Sequence, residues 1–140
     1  MNKSTLFAYT QTSQNVLTNG DINFSNAYNT GCSIRFVPGS TQVNIKTPGL
    51  YYVTFNGYGA ESETAGNITV QMSRNGVLVP GAIASANSSA VTGLESLSFS
   101  AIVRVSPSCS CVDNNTTLTF VNTGVNTTFA NTAITIVRVA

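Results

Sequence analysis

The chain has 140 residues and a net charge of +1, from six basic and five acidic side chains, and it contains no histidine. Charged residues make up 8 % of it, against about a quarter in an ordinary globular domain, and Asn, Thr, Ser and Gly fill the gap. Such a composition argues against disorder, which combines high charge with few strand formers, and it removes the side chain on which most general-base, triad and metal chemistry relies.

By length the chain is expected to form a single domain spanning 1–140. Met1-Asn2-Lys3-Ser4-Thr5 lacks the apolar run of a signal peptide, and no segment approaches the ~20 apolar residues of a membrane span. The expectation is a soluble protein, not exported by the usual secretory route and without a membrane partner. Lys3, Arg35, Lys46, Arg74, Arg104 and Arg138 are each isolated, so no basic stripe tracks a phosphate backbone and no nucleic-acid partner is expected. Low charge also leaves much surface that can be buried between copies without desolvating ions.

In chain order, Leu6 to Thr10 is a short strand, and Val16-Leu17, Asn19-Gly20-Asp21 and Ile22-Asn23-Phe24 read as a strand pair about a turn. Asn29-Thr30-Gly31 breaks the chain. Ser33 to Val37 and Thr41 to Lys46 flank Pro38-Gly39, with Val43 and Ile45 alternating against Gln42 and Asn44.

The run from Gly49 to Gly59 comes next. It places Tyr51, Val53 and Phe55 on one face and Tyr52, Thr54 and Asn56 on the other. Both rows are bulky, which predicts a central strand covered on both sides.

Asn67 to Arg74 alternates again, and Asn75-Gly76 is a strong two-residue hairpin signal that returns the chain through Val77 to Val79 until Pro80-Gly81. Leu97, Phe99, Ala101, Val103 and Val105 share a face up to Ser106-Pro107. Thr117 to Val121 and Ala133 to Val139 complete the set. No window has a helical period, and short strands at this spacing predict an all-β sandwich or barrel.

Phe36, Val43, Gly49, Tyr51, Val53 and Phe55 fall at the spacings of a C1q-type pattern, with Val43 and Val53 where that family prefers Phe. Val70 to Gly76 resembles the family's strand and Asn-Gly hairpin. Ala133-Ile134-Thr135-Ile136-Val137-Arg138-Val139-Ala140 resembles the last strand of bacterial members, including the heads of collagen-like spore-surface glycoproteins.

The resemblance is to the C1q/TNF-like jelly-roll family and covers nearly the whole chain. It implies a compact homotrimer with its termini near one end. It further implies that Phe36, Val43, Tyr51, Val53 and Phe55 fill the sandwich, while Tyr52 and Thr54 face a threefold axis. Periodicity alone gives two faces and does not say which is which, so Tyr52 also reads as a second core residue.

Little chemistry is available. Of the carboxylates Asp21, Glu61, Glu63, Glu95 and Asp113, only Glu61 and Glu63 are close in sequence. They fall in a Ser/Thr/Gly stretch expected to be a solvated loop, poor for glycoside hydrolysis and short of ligands for calcium. No Gly-rich phosphate loop precedes a helix, and no catalytic, cofactor or metal residues are assigned. Cys109-Ser110-Cys111 and Cys32 are too few for zinc. They read either as cross-links between subunits or as reduced thiols without a role.

The expected protein is a non-enzymatic structural subunit of a spore surface, appendage or virion, without cofactors, whose partner is itself. The alternative is a trimeric lectin-like adhesin or phage receptor-binding module that takes a surface glycan, with Asn87, Asn114, Asn115 and Tyr58 supplying polar and stacking contacts.

Overall fold

The computed structural model describes residues 4–61, 66–88, 94–107 and 116–140. Among these residues the alternating apolar pattern yields eleven strands and no helix. They are β1 (Thr5–Thr10), β2 (Gln14–Val16), β3 (Asn26–Thr30), β4 (Ile34–Phe36), β5 (Val43–Ile45) and β6 (Gly49–Glu61), followed by β7 (Gly66–Arg74), β8 (Val77–Ser88), β9 (Glu95–Val105), β10 (Thr116–Asn122) and β11 (Thr127–Arg138). One sheet has the order β3-β1-β11-β6-β9, with β2 also paired to β11, and the other has the order β4-β5-β10-β7-β8. All pairings are antiparallel, and from β8 onward the chain crosses between the sheets at each step.

The core lies between the two sheets. Phe55 stacks on Phe99 at 5.5 Å and on Phe120 at 5.9 Å, while Phe24 meets Phe120 edge-on at 5.9 Å and 89°. These rings come from both sheets and from the segment after β2, so they tie the layers together with favoured aromatic geometries. Along β6 the inward row runs through Gly57 and Gly59 to Glu61. A Cβ at Gly57 would come within 2.9 Å of the Thr132 methyl on the neighbouring β11, and one at Gly59 within 3.0 Å of Ile68 in the opposing sheet, so both neighbours close in where β6 carries no side chain.

The Asn75-Gly76 turn forms as its sequence suggests. Both residues have positive φ, 51° and 84°, between Arg74 and Val77, the geometry of a type I′ hairpin.

Several expectations change. The segment from Val16 to Phe24 is not a hairpin. Val16 pairs with Thr127 in the first sheet, whereas Ile22 N donates to Phe120 O at 2.9 Å in the second, so this turn steps from one layer to the other. Val16, Ile22 and Phe24 are all buried by that step, which a two-stranded pairing on one face would not achieve.

Asn26–Thr30, which has little strand propensity, is nevertheless a strand because β1 offers it an edge. Pro80-Gly81 does not end β8. The ladder slips between Gln71 and Ser73, Gly81 takes a φ of 86°, and Pro80 is tolerated because β8 is an edge strand. β11 begins earlier than expected, with a bulge between Ala130 and Ala133 where Asn131 has a φ of 50°.

Candidate functional site

Directly opposed residues of an antiparallel pair lie on the same face of the sheet. Tyr51, Val53 and Phe55 are buried, so the other row of β6 points away from the core. Following the register sideways from Tyr52 reaches Ile102 on β9, and in the other direction Val137 on β11, Thr5 on β1 and Thr30 on β3. The next row places Thr54 beside Ser100, Thr135, Phe7 and Tyr28. The row after it places Asn56 beside Ser98, Ala133, Tyr9 and Asn26.

This outer face mixes exposed aromatic and aliphatic side chains with neutral hydroxyls and amides, and it is nearly free of charge. Tyr28 is 75 % exposed, Ile102 66 %, Phe7 42 % and Tyr52 41 %, with Phe7 and Tyr9 rings 5.3 Å apart. Among the described strand residues of this face, Arg104 alone carries a charge, opposite Leu50. The two margins differ in shape. On the β3 side a hollow of about 430 Å³ opens between Phe7, Tyr9, Tyr28 and Asn131, while the β9 side presents Ile102.

The outer face of the second sheet has a different chemistry. Thr69, Gln71 and Ser73 on β7 lie near Thr117 and Thr119 on β10, and the Thr69 and Ser85 hydroxyls are hydrogen-bonded at 2.9 Å. Asp21 sits at its margin, in an isolated bridge with Val121. Desolvation pushes its carboxyl above the ordinary aspartate value of 3.8.

The residues nominated from sequence are distributed as follows. Val43, Tyr51, Val53 and Phe55 are fully buried, and Phe36 is half-buried against the same core. Thr54 is half-buried and Tyr52 exposed in this single chain, so the outward row of β6 is not covered on both sides. Cys32 is exposed, and Cys109 and Cys111 lie outside the described residues.

Tyr58 and Asn87 stand on the outer faces of different sheets and do not form one pocket, while Asn114 and Asn115 lie outside the described residues. Glu61 is not in a solvated loop. It ends β6, is buried, and its Oε1 accepts from Gly66 N at 3.3 Å, whereas Glu63 lies outside the described residues. Among the described residues no group of three His, Cys, Asp or Glu side chains could hold a metal ion.

Sequence reasoning missed Phe7, Tyr28 and Ile102 on the outer face. The alternation of β1 and β9 contained the signal for Phe7 and Ile102, since each strand's second row also holds an apolar residue.

No protein-family model matches the chain, and no curated protein matches it. Solved structures do match. Eiger TNF from S. frugiperda aligns with a TM-score of 0.71 at 10 % identity, covering 100 % of this chain and 94 % of its own. Murine APRIL aligns with a TM-score of 0.68 at 10 % identity, covering 98 % and 99 % of the two chains. The PRD1 vertex protein P5 aligns with a TM-score of 0.59 at 13 % identity, covering 100 % and 99 %. Identities this low establish the fold alone. The chain is an all-β jelly-roll sandwich of the TNF-like type.

Proposed function

We propose that the chain is a non-enzymatic structural subunit that assembles as a homotrimer through the outer face of the β3-β1-β11-β6-β9 sheet. The observation that carries this reading is the pairing of bare apolar side chains with near-absence of charge around Tyr52. Burying apolar surface yields about 25 cal/mol per Å², whereas each buried ion costs several kcal/mol, so the apolar side chains of this face gain from contact without an ionic cost, provided its hydroxyls and amides find partners. Its unlike margins favour a heterologous contact, the Ile102 side of one copy meeting the Phe7–Tyr28 hollow of the next, and such contacts close into a ring when each copy is turned by a third of a circle.

Native mass spectrometry at micromolar concentration tests this. The parent chain is expected to appear as a trimer, and Tyr52→Asp and Ile102→Asp as monomers, because each would bury a lone carboxylate. A monomeric parent, or trimers retained in both variants, overturns the reading.

The setting we infer is a particle surface, whether a spore-surface layer, an appendage or a virion. The likeness in fold to the PRD1 vertex protein P5 supports the virion among these. Antibody labelling of intact particles in the electron microscope checks it. Exposed Cys32, with Cys109 and Cys111, supplies thiols for cross-links between subunits, and a band of multiple mass on a non-reducing gel is the expected sign.

A further inference from the structure

On the outer face of the second sheet, β5 gives up its place beside β10 after the Val43–Leu118 pair. The segment around Asp21 takes over with the Ile22 N to Phe120 O bond and the Asp21–Val121 bridge. The exchange leaves a basin of about 400 Å³, with Thr119 on its floor and Asn19, Asp21, Gln42, Ser73 and Asn75 around it.

Its walls are held from behind. Asn75 N donates to Thr117 O at 2.8 Å and Asn75 Oδ1 accepts from Thr117 N at 2.8 Å, while Asn19 N donates to Asn122 O at 2.6 Å. Asn19 and Asn75 both take left-handed backbone angles, 70° and 51°, as Asn does at turns fixed by local hydrogen bonds. Among the described residues, no hydrogen bond of the chain engages the Thr119 hydroxyl, the Gln42 side-chain amide or the Asp21 carboxylate.

The donor set selects the ligand. Hydroxyls and amides both donate and accept, and one carboxylate accepts strongly. Among the described residues no cation lines the basin to hold a phosphate or sulfate, and the one carboxylate there is too few for calcium. Its surface is about equally polar and apolar, too mixed for a lipid and suited to a ligand with both hydroxyls and C–H faces. We propose that this basin binds a neutral saccharide, with Asp21 accepting from two adjacent sugar hydroxyls and Thr119, Gln42 and Asn75 completing the contacts. Partial desolvation raises the pKa of the exposed Asp21 carboxyl, which makes it a somewhat better acceptor. The basin faces away from the proposed assembly face, so it stays open in a trimer, and binding and oligomeric state fail or succeed separately.

The test is amide NMR of the full chain titrated with the methyl glycosides of mannose, galactose, glucose and rhamnose. At least one is expected to shift the amides of Asp21, Asn75, Gly76 and Thr119. Asp21→Asn and Thr119→Val, both nearly isosteric, should each weaken that binding at least about tenfold with folding retained. Gln42→Ala, at an exposed position, provides a further variant should either fail to fold. The proposal is overturned if no glycoside perturbs the basin, if perturbations centre on Phe7 and Tyr28 instead, if the folded variants bind as the parent does, or if sialylated sugars bind in preference to neutral ones.

Discussion

Tyr51 and Tyr52 are neighbours in the chain, yet Tyr51 is wholly buried with its hydroxyl donating to Thr47 O at 2.6 Å, while Tyr52 is 41 % exposed between Ile102 and Val137. One peptide bond separates the core of the sandwich from its proposed contact surface. The two residues should therefore respond to substitution in different observables, Tyr51 in stability and Tyr52 in assembly.

Tyr51→Phe keeps the ring and removes the donor, leaving the Thr47 carbonyl without this partner. The expected loss is about 1–2 kcal/mol of unfolding free energy, read from urea denaturation with an unchanged slope. No loss would mean that water replaces the hydroxyl.

Asn122 is a buried amide that joins three segments. Its Nδ2 donates to Val16 O and Val125 O, each at 2.9 Å, and its Oδ1 accepts from Gly124 N at 3.0 Å. Asn122→Ala should cost about 2–4 kcal/mol, since all three backbone groups lose their partner. Asn122→Asp should cost a similar amount, because it keeps the acceptor but removes both donors. Thermal unfolding of the two variants side by side checks this.

Asp21 contributes to stability with a definite sign. Its folded-state pKa is raised by desolvation, so between the ordinary value of 3.8 and the raised value the folded chain holds more protons than the unfolded one. Rising pH through that window favours unfolding, and the cost persists at every higher pH. Asp21→Asn should therefore stabilise the chain at about pH 7 and lose that advantage at about pH 3. Because Asp21 is exposed, screening by solvent keeps the gain below about 0.5 kcal/mol. The same substitution should weaken saccharide binding at least about tenfold, a trade common where a functional group sits in an unfavourable place.

Assembly through the Tyr52 face should be nearly indifferent to salt. Raising ionic strength from about 0.1 M to about 1 M shortens the screening length roughly threefold, which weakens charged interfaces but not this one. Analytical ultracentrifugation at the two salts should give the same trimer. Dissociation at high salt would reveal an interface built on charge.

Local pattern carried the strands a long way. Alternation of apolar residues marked β6, β7 and β9, and Asn75-Gly76 declared its own turn, because side-chain period and backbone angles are properties of a few consecutive residues. The resemblance to C1q/TNF-like proteins, carried by positions such as Gly49 and Phe55, led to the jelly roll.

Local pattern failed where the partner decides. Asn26–Thr30 became a strand only because β1 lies beside it, and Ile22 left its neighbour Val16 because Phe120 offers it a bond in the other sheet.

The sites divide in the same way. Tyr52 and Thr54 were legible as one row of their strand, but that this row faces outward, and that Ile102, Phe7 and Tyr28 extend it across the sheet, depends on packing and on registers between strands far apart in sequence. The basin beside Asp21 was invisible altogether, since it gathers Asn19, Gln42, Asn75 and Thr119 from four separate segments.

What this sequence determined alone is a nearly neutral, histidine-free chain of alternating strands with Tyr51, Val53 and Phe55 on one side of its longest strand. Which of that strand's two faces meets the core, and which distant residues share its surface, only the packed sheets decided. Period two makes the faces equivalent until another layer covers one of them.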